Sequence, residues 1–130
     1  MVRMPGPQEG KIYILGAWKL AEIQDLRCDL FWNSASFQEM EPHLVVNYLS
    51  YVDRATTRFV FLHERMKGMA RARHRGAHGV LQPTTLEHYT QGLPNFQMVD
   101  LSESVATQFI SRWRKVDSSH CSFWKRRNLK

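Results

Sequence analysis

Cysteine is scarce in this chain: Cys28 and Cys121 are the only thiols among 130 residues. Two cysteines cannot build a disulfide framework, so a packed core must hold the fold, and the reducing cytoplasm is the expected home. Long apolar runs are also missing. No stretch approaches the roughly 18 apolar residues of a membrane span. Met1 to Pro7 has no apolar core of the kind a secretory leader needs. Glycine is thin, with 7 in all, and nowhere forms a GxGxxG cluster, so no phosphate-cradling glycine loop is written in the chain. Neither an internal repeat nor a low-complexity tract occurs.

What is present is ordinary globular composition, 43% hydrophobic and 23% charged, in a length that suits one domain with a real core. Residues 1–10, with Pro5, Gly6, Pro7 and Gly10, read as a flexible N-terminal segment, and residues 11–130 as one domain. The formal charge is +6, a balance that attracts nucleic acid, acidic lipid or a phosphorylated substrate. It gathers in two places: Arg65, Lys67, Arg71, Arg73 and Arg75, then Lys125, Arg126, Arg127 and Lys130. The plainer reading of both clusters is a solvated loop and a tail.

Apolar patterning gives the elements. Lys11–Leu15 is a β-rich run closed by Gly16, and Leu20, Ile23 and Leu26 recur at helical spacing. Cys28–Trp32 is a run apolar enough for a strand buried on both faces. Strand, short helix, strand is the rhythm of a parallel α/β sheet. Ser36 with Glu39 has the form of a capping box. Glu41-Pro42 is a second helix start, since proline suits the first helical position. Leu44, Val45, Tyr48, Leu49 and Val52 form one stripe of a helix reaching Arg54. Thr57–Leu62 reads as the next buried strand. A long basic loop follows over residues 66–80. Thr84 with Glu87 predicts another cap, before a short helix stopped by Gly92 and Pro94. Phe96–Leu101 reads as a strand. Val105, Phe109, Ile110 and Trp113 have helical spacing, and residues 120–127 predict a final strand, antiparallel to the others.

The stretch Asn33-Ser34-Ala35-Ser36-Phe37-Gln38-Glu39-Met40-Glu41-Pro42 resembles the segment after the fourth strand of sugar O-methyltransferases that use S-adenosylmethionine. The resemblance extends over about two thirds of the chain, through the helix and strand that follow, Gly79-Val80-Leu81 and the segment from Glu87 to Leu101. It implies an α/β fold: a partial Rossmann-like methyltransferase sheet of mainly parallel strands, with helices packed on it. The first two strands are missing, and with them the glycine-rich loop and the ribose-binding carboxylate. Lys11–Leu15 would match the third strand. The resemblance therefore implies the C-terminal part of such a domain. Its cofactor is S-adenosylmethionine, bound weakly by this part alone, and its acceptor is a sugar or glycan hydroxyl. In the family sheet the first strand lies beside the fourth. Its loss leaves the Leu30–Asn33 edge bare, so that either Lys11–Leu15 shifts in to pair with it, or the chain is unstable, or a partner chain or the missing N-terminal half covers it.

Methyl transfer to a hydroxyl needs donor and acceptor held in line and a base for the proton. His63, His43 and Glu39 are the candidate bases, with His63 favoured by its imidazole and its place after a strand. Gly16, Ala17, Asn33 and Ser34 are the candidate cofactor contacts. Ser36, Gln38, Glu64, Arg65 and Arg71 are the candidate acceptor contacts, the arginines suiting a phosphate on a nucleotide sugar. Each has a structural alternative: Ser36 and Glu39 as helix caps, His63 as a loop residue, Trp18 as core rather than an adenine stack. His74 and His78 are four apart but lack a third ligand, so no metal site is expected. Two other classes stay open, a non-catalytic fragment and a basic nucleic-acid-binding or anion-binding module. No known nucleic-acid motif supports the last.

Overall fold

Four of the β-rich runs pair into one mixed sheet. The structure, a computed structural model, describes residues 10–22, 26–74, 77–111 and 118–128. The strands are β1 (Cys28–Ser34), β2 (Thr56–Glu64), β3 (Phe96–Glu103) and β4 (His120–Arg126), in the spatial order β1-β2-β4-β3. Helix α1 (Pro42–Ala55) connects β1 to β2, α2 (Leu86–Gly92) precedes β3, and α3 (Val105–Ser111) follows it. β1 and β2 are parallel, with Phe31 beside Val60 and Asn33 beside Leu62. β4 runs antiparallel to both β2 and β3. The mainly parallel sheet expected from the sequence is therefore corrected: one neighbouring pair is parallel and two are antiparallel. The last strand does return antiparallel, as expected.

The core lies on one face of the sheet. Pro42 opens α1 at its first turn. Val45, Leu49 and Val52 then recur on one side of that helix and are at most 2% exposed. They pack with Val60, Leu62 and Trp124 of the sheet, Tyr89 of α2, and Leu93. Leu44, expected in the stripe, is 44% exposed, because it lies off the arc facing the strands. The Trp124 indole N–H donates to Ser122 Oγ at 2.9 Å, so burying this ring leaves no donor unpaired. Gly92 ends α2 against α1, where a Cβ would come within 2.6 Å of the Leu49 Cβ. At the far end of α1, Arg126 Nη1 donates to the carbonyls of Asp53 and Thr56, both at 2.8 Å. This is a cationic cap on a helix C-terminus. The buried Asp53 carboxylate accepts from the backbone and side-chain amides of Asn95.

Three expectations fail. Lys11–Leu15 is not a strand; Ile12 and Ile14 are 93% and 94% exposed. A β-prone run becomes a strand only where a neighbouring strand pairs with it. Trp18, in a 3-10 turn over Ala17–Glu22, is 76% exposed rather than core. β1 is not covered on both sides: Leu30 and Trp32 are 48% and 65% exposed, and β2 is its one neighbour among the described residues. The helix predicted to continue to Trp113 is seen as far as Ser111, and Trp113 lies outside the described residues. So do residues 1–9 of the predicted flexible segment.

Both predicted capping boxes also shift. Ser36 makes no side-chain cap; its hydroxyl donates to Asn33 Oδ1 at 2.9 Å, and Phe37–Glu39 forms a single 3-10 turn. The second box is one residue later, Thr85 with His88, the ring Nδ1 accepting the Thr85 N–H at 3.0 Å. Histidine can supply the acceptor that the Glu/Gln pattern assigns to a carboxylate or amide.

Candidate functional site

Parallel strands end together, so whatever follows β1 and β2 is brought to one rim. The Ala35 N–H donates to the His63 carbonyl at 2.8 Å, which continues the ladder one residue past β1. Ala35 takes a positive φ of 56°, a conformation that a non-glycine residue adopts only when its surroundings impose it. That bend sends Ser36–Glu39 back over the rim. The result is a cleft of about 170 Å³ lined by Ala35, Gln38, His63, Arg65, Ala106, Thr107, Ile110 and Ser119. Its far wall is α3.

His63 is the imidazole that lines this cleft. Its Nδ1 lies 3.0 Å from Ser34 Oγ and its Nε2 lies 3.3 Å from Ser119 Oγ. Ser119 Oγ is in turn 2.8 Å from Thr107 Oγ1, and Thr107 accepts the Ser119 N–H at 3.1 Å. A neutral imidazole has one N–H and one lone pair. Hydroxyls on both sides can serve either tautomer, so the ring is held in place without its proton being assigned. Ser119 and Thr107 were not anticipated. They lie 56 and 44 positions beyond His63 in the chain, and nothing local marks them. Only the return of β4 beside β2 brings Ser119 to the rim.

Gln38 bridges the two strand ends. Its backbone N–H donates to Glu64 Oε2 at 3.1 Å, and its side-chain oxygen accepts the Arg65 N–H at 2.8 Å. The Glu64 side chain is 0% exposed. Period-2 alternation on β2 turns it to the helix side, beneath the Ser36–Glu39 turn. Burial raises its pKa above the ordinary 4.5, against the pull of the Gln38, Phe37 and Ser36 backbone N–H groups; Glu39 adds a smaller upward push. Glu39 itself is exposed on the turn and does not line the cleft. Its carboxylate lies 3.4 Å from the Gln38 side-chain amide.

The other candidates are not gathered here. His43 belongs to a separate groove of about 410 Å³ with Glu41, Leu44, Ala72, His74, Ala77, Gly79 and Leu81. Glu41 there accepts the Leu81 and Gln82 N–H groups at 2.8 and 3.0 Å, tying the basic loop to α1. Arg71 sits in that loop, in a bridge with Val80. Gly16 and Ala17 line neither cleft. No group of three metal-ligating side chains occurs among the described residues, and Cys28 and Cys121 are free thiols. No helix among the described residues is long and apolar enough to cross a membrane. Two members of the C-terminal basic cluster are structural. Arg126 caps α1, and Arg127 Nε donates to the carbonyls of Pro94 and Phe96.

No family model matches the chain, and no curated protein matches it. Among solved structures it is similar to LepI in complex with SAM, with a TM-score of 0.48 and 7% identity. It is also similar to a cysteine-to-alanine variant of LepI with SAH and a substrate analogue, with a TM-score of 0.49 and 7% identity. In both cases the match covers 78% of this chain and 27% of the other, so the chain spans about a quarter of the length of these neighbours. At such scores the functional reading rests on this chain's own residues.

Proposed function

We propose that this chain is the acceptor-side part of an S-adenosylmethionine-dependent O-methyltransferase domain, acting on a sugar or glycan hydroxyl. One observation carries the reading. The polar segment Asn33–Glu39, which resembles the sugar O-methyltransferase motif, stands at the shared end of a parallel strand pair, beside an imidazole bonded at both nitrogens. S-adenosylmethionine, when bound, supplies an electrophilic methyl group. The residues present fit the acceptor side better than the cofactor. Asn33 and Ser34 offer hydrogen bonds, but no glycine-rich loop or ribose carboxylate accompanies them, and Gly16 and Ala17 do not reach the cleft. Tight cofactor binding therefore calls for the rest of the domain. The open β1 edge and the exposed Leu30 and Trp32 are where such a part, or a partner chain, would pack.

In this reading His63 is the base. A hydroxyl that displaces Ser34 from Nδ1 meets the ring's lone pair in the tautomer protonated at Nε2, with Ser119 accepting from Nε2–H. Thr107 fixes Ser119 in turn, so the tautomer suited to accepting a proton is held by two hydroxyls. Gln38 and Arg65 form the adjoining wall and orient the acceptor.

The test is an amide chemical-shift titration with S-adenosylhomocysteine, and separately with a panel of monosaccharides, up to tens of millimolar. Expected are shifts confined to Asn33–Gln38, His63 and Ser119, with millimolar or weaker affinity. Shifts elsewhere in the fold, or none with any probe, would remove the proposal.

A further inference from the structure

Three buried polar atoms have no hydrogen-bond partner among the described residues: Glu64 Oε1, the Tyr89 hydroxyl and His120 Nδ1. They belong to one neighbourhood. His120 is the cross-strand partner of Glu64 on β4, and directly opposed residues share a sheet face. The charge of Glu64 is felt by the Tyr89 phenol, which burial, and then that charge, hold protonated well above its usual pKa. Glu64 and Tyr89 are both 0% exposed. A carboxyl in such a place is costly unless it holds something. What it holds is the cleft's turn, since its other oxygen accepts the Gln38 N–H.

We propose that Glu64 is the positioning residue of the cleft. From beneath the turn it fixes the Gln38 backbone, and through it the Gln38 side chain that braces Arg65, with a grip set by its state of protonation. Ionised, it is the stronger acceptor for the turn's N–H groups but leaves a charge in the core. Protonated, it grips the turn less and relieves the core. The groups that face it are Glu39 on the turn, Tyr89 on α2 and His120 on β4, with His63 and Arg65 flanking it along the chain. Lowering pH therefore loosens one wall of the cleft while the sheet beneath it stays intact. A bearing on acceptor binding rests on the proposed function; the grip on Gln38 does not.

The experiment follows the backbone amides of Gln38 and Arg65 by nuclear magnetic resonance from pH 7 downward, in the full chain and in Glu64→Gln and Glu64→Ala. In the unmodified chain the Gln38 amide is expected to titrate with a midpoint above 4.5. Glu64→Gln should abolish that titration while keeping the folded spectrum, because an amide oxygen still accepts but cannot ionise. Glu64→Ala should speed hydrogen exchange at Gln38 roughly tenfold or more while leaving the Val60 and Leu62 amides unchanged. If the alanine variant fails to fold, the glutamine variant decides alone. A Gln38 midpoint at or below 4.5, or the same titration persisting in Glu64→Gln, overturns the proposal. Ligand-induced shifts are read in the same spectra, so loss of those without loss of the titration counts against the methyltransferase reading and not against this one.

Discussion

The two faces of the sheet carry nearly equal apolar content and meet different fates. On one face Phe31, Val60, Leu62 and Trp124 lie under α1 and α2, and the last three are at most 2% exposed. On the other, register places Leu30 and Trp32 of β1 beside Phe59 and Phe61 of β2 and Phe123 of β4. These side chains pack on one another, and among the described residues none of them belongs to the core beneath the helices. The Trp32 and Phe61 rings are 4.8 Å apart, and those of Phe59 and Phe123 are 5.1 Å apart. A continuous apolar run thus says that a strand has two apolar sides, and nothing about whether both receive a partner. On the second face Leu30 and Trp32 stay exposed beside half-buried phenylalanines.

The sharpest way to break this comparison is to cut equal amounts from each face. Leu49→Ala, on α1 above the covered face, should cost about 2–5 kcal/mol by chemical denaturation, since it opens a cavity that helix and sheet cannot close. Removing the guanidinium in Arg126→Met should cost about 1–3 kcal/mol, because two helix-end carbonyls lose their donor while the apolar stem is kept. Measurement of unfolding midpoints in urea checks both, and equality of Leu49→Ala with Phe61→Ala would erase the distinction between faces.

A gentler test uses pH. The folded pKa of Glu64 stands above its unfolded value, so the folded chain binds that proton more tightly. This group's contribution to stability is full below the ordinary carboxyl pKa of 4.5 and is lost as pH rises through the raised one. Glu64→Gln should remove that dependence, flattening the stability profile above pH 4.5 and leaving the variant no less stable than the parent near pH 7. A profile as steep in the variant as in the parent would assign the dependence to other groups. The smallest effect is expected at Trp32→Thr. The second face should give up its indole within about 0.5 kcal/mol, while binding of a hydrophobic dye falls. A loss of more than 2 kcal/mol there would show that the bare face is a second core.

Much of the fold was legible from local chemistry. Pro42, the Val45–Leu49–Val52 stripe, and the β-rich runs at β1, β2 and β3 mark their elements without help from the rest of the chain. The polar segment that ends β1 and His63 near the end of β2 were likewise visible as rim residues, and the structure puts Ser34, Gln38, His63 and Arg65 together. What could not be read was whatever depends on a distant neighbour. Glu64 looks like one more polar residue at a strand's end, and only the alternation of β2 under α1 turns it inward. Ser119 and Thr107 carry no local mark.

The amino-acid sequence by itself determined the helix that Pro42 opens and the β-rich runs that became β1 to β4, because proline geometry and apolar period act over a few residues. Tertiary structure alone decided which apolar face is covered, which strand pairs are antiparallel, and which hydroxyls reach His63. Those outcomes turn on pairing between segments tens of residues apart, where burial and backbone hydrogen bonds outweigh any local preference.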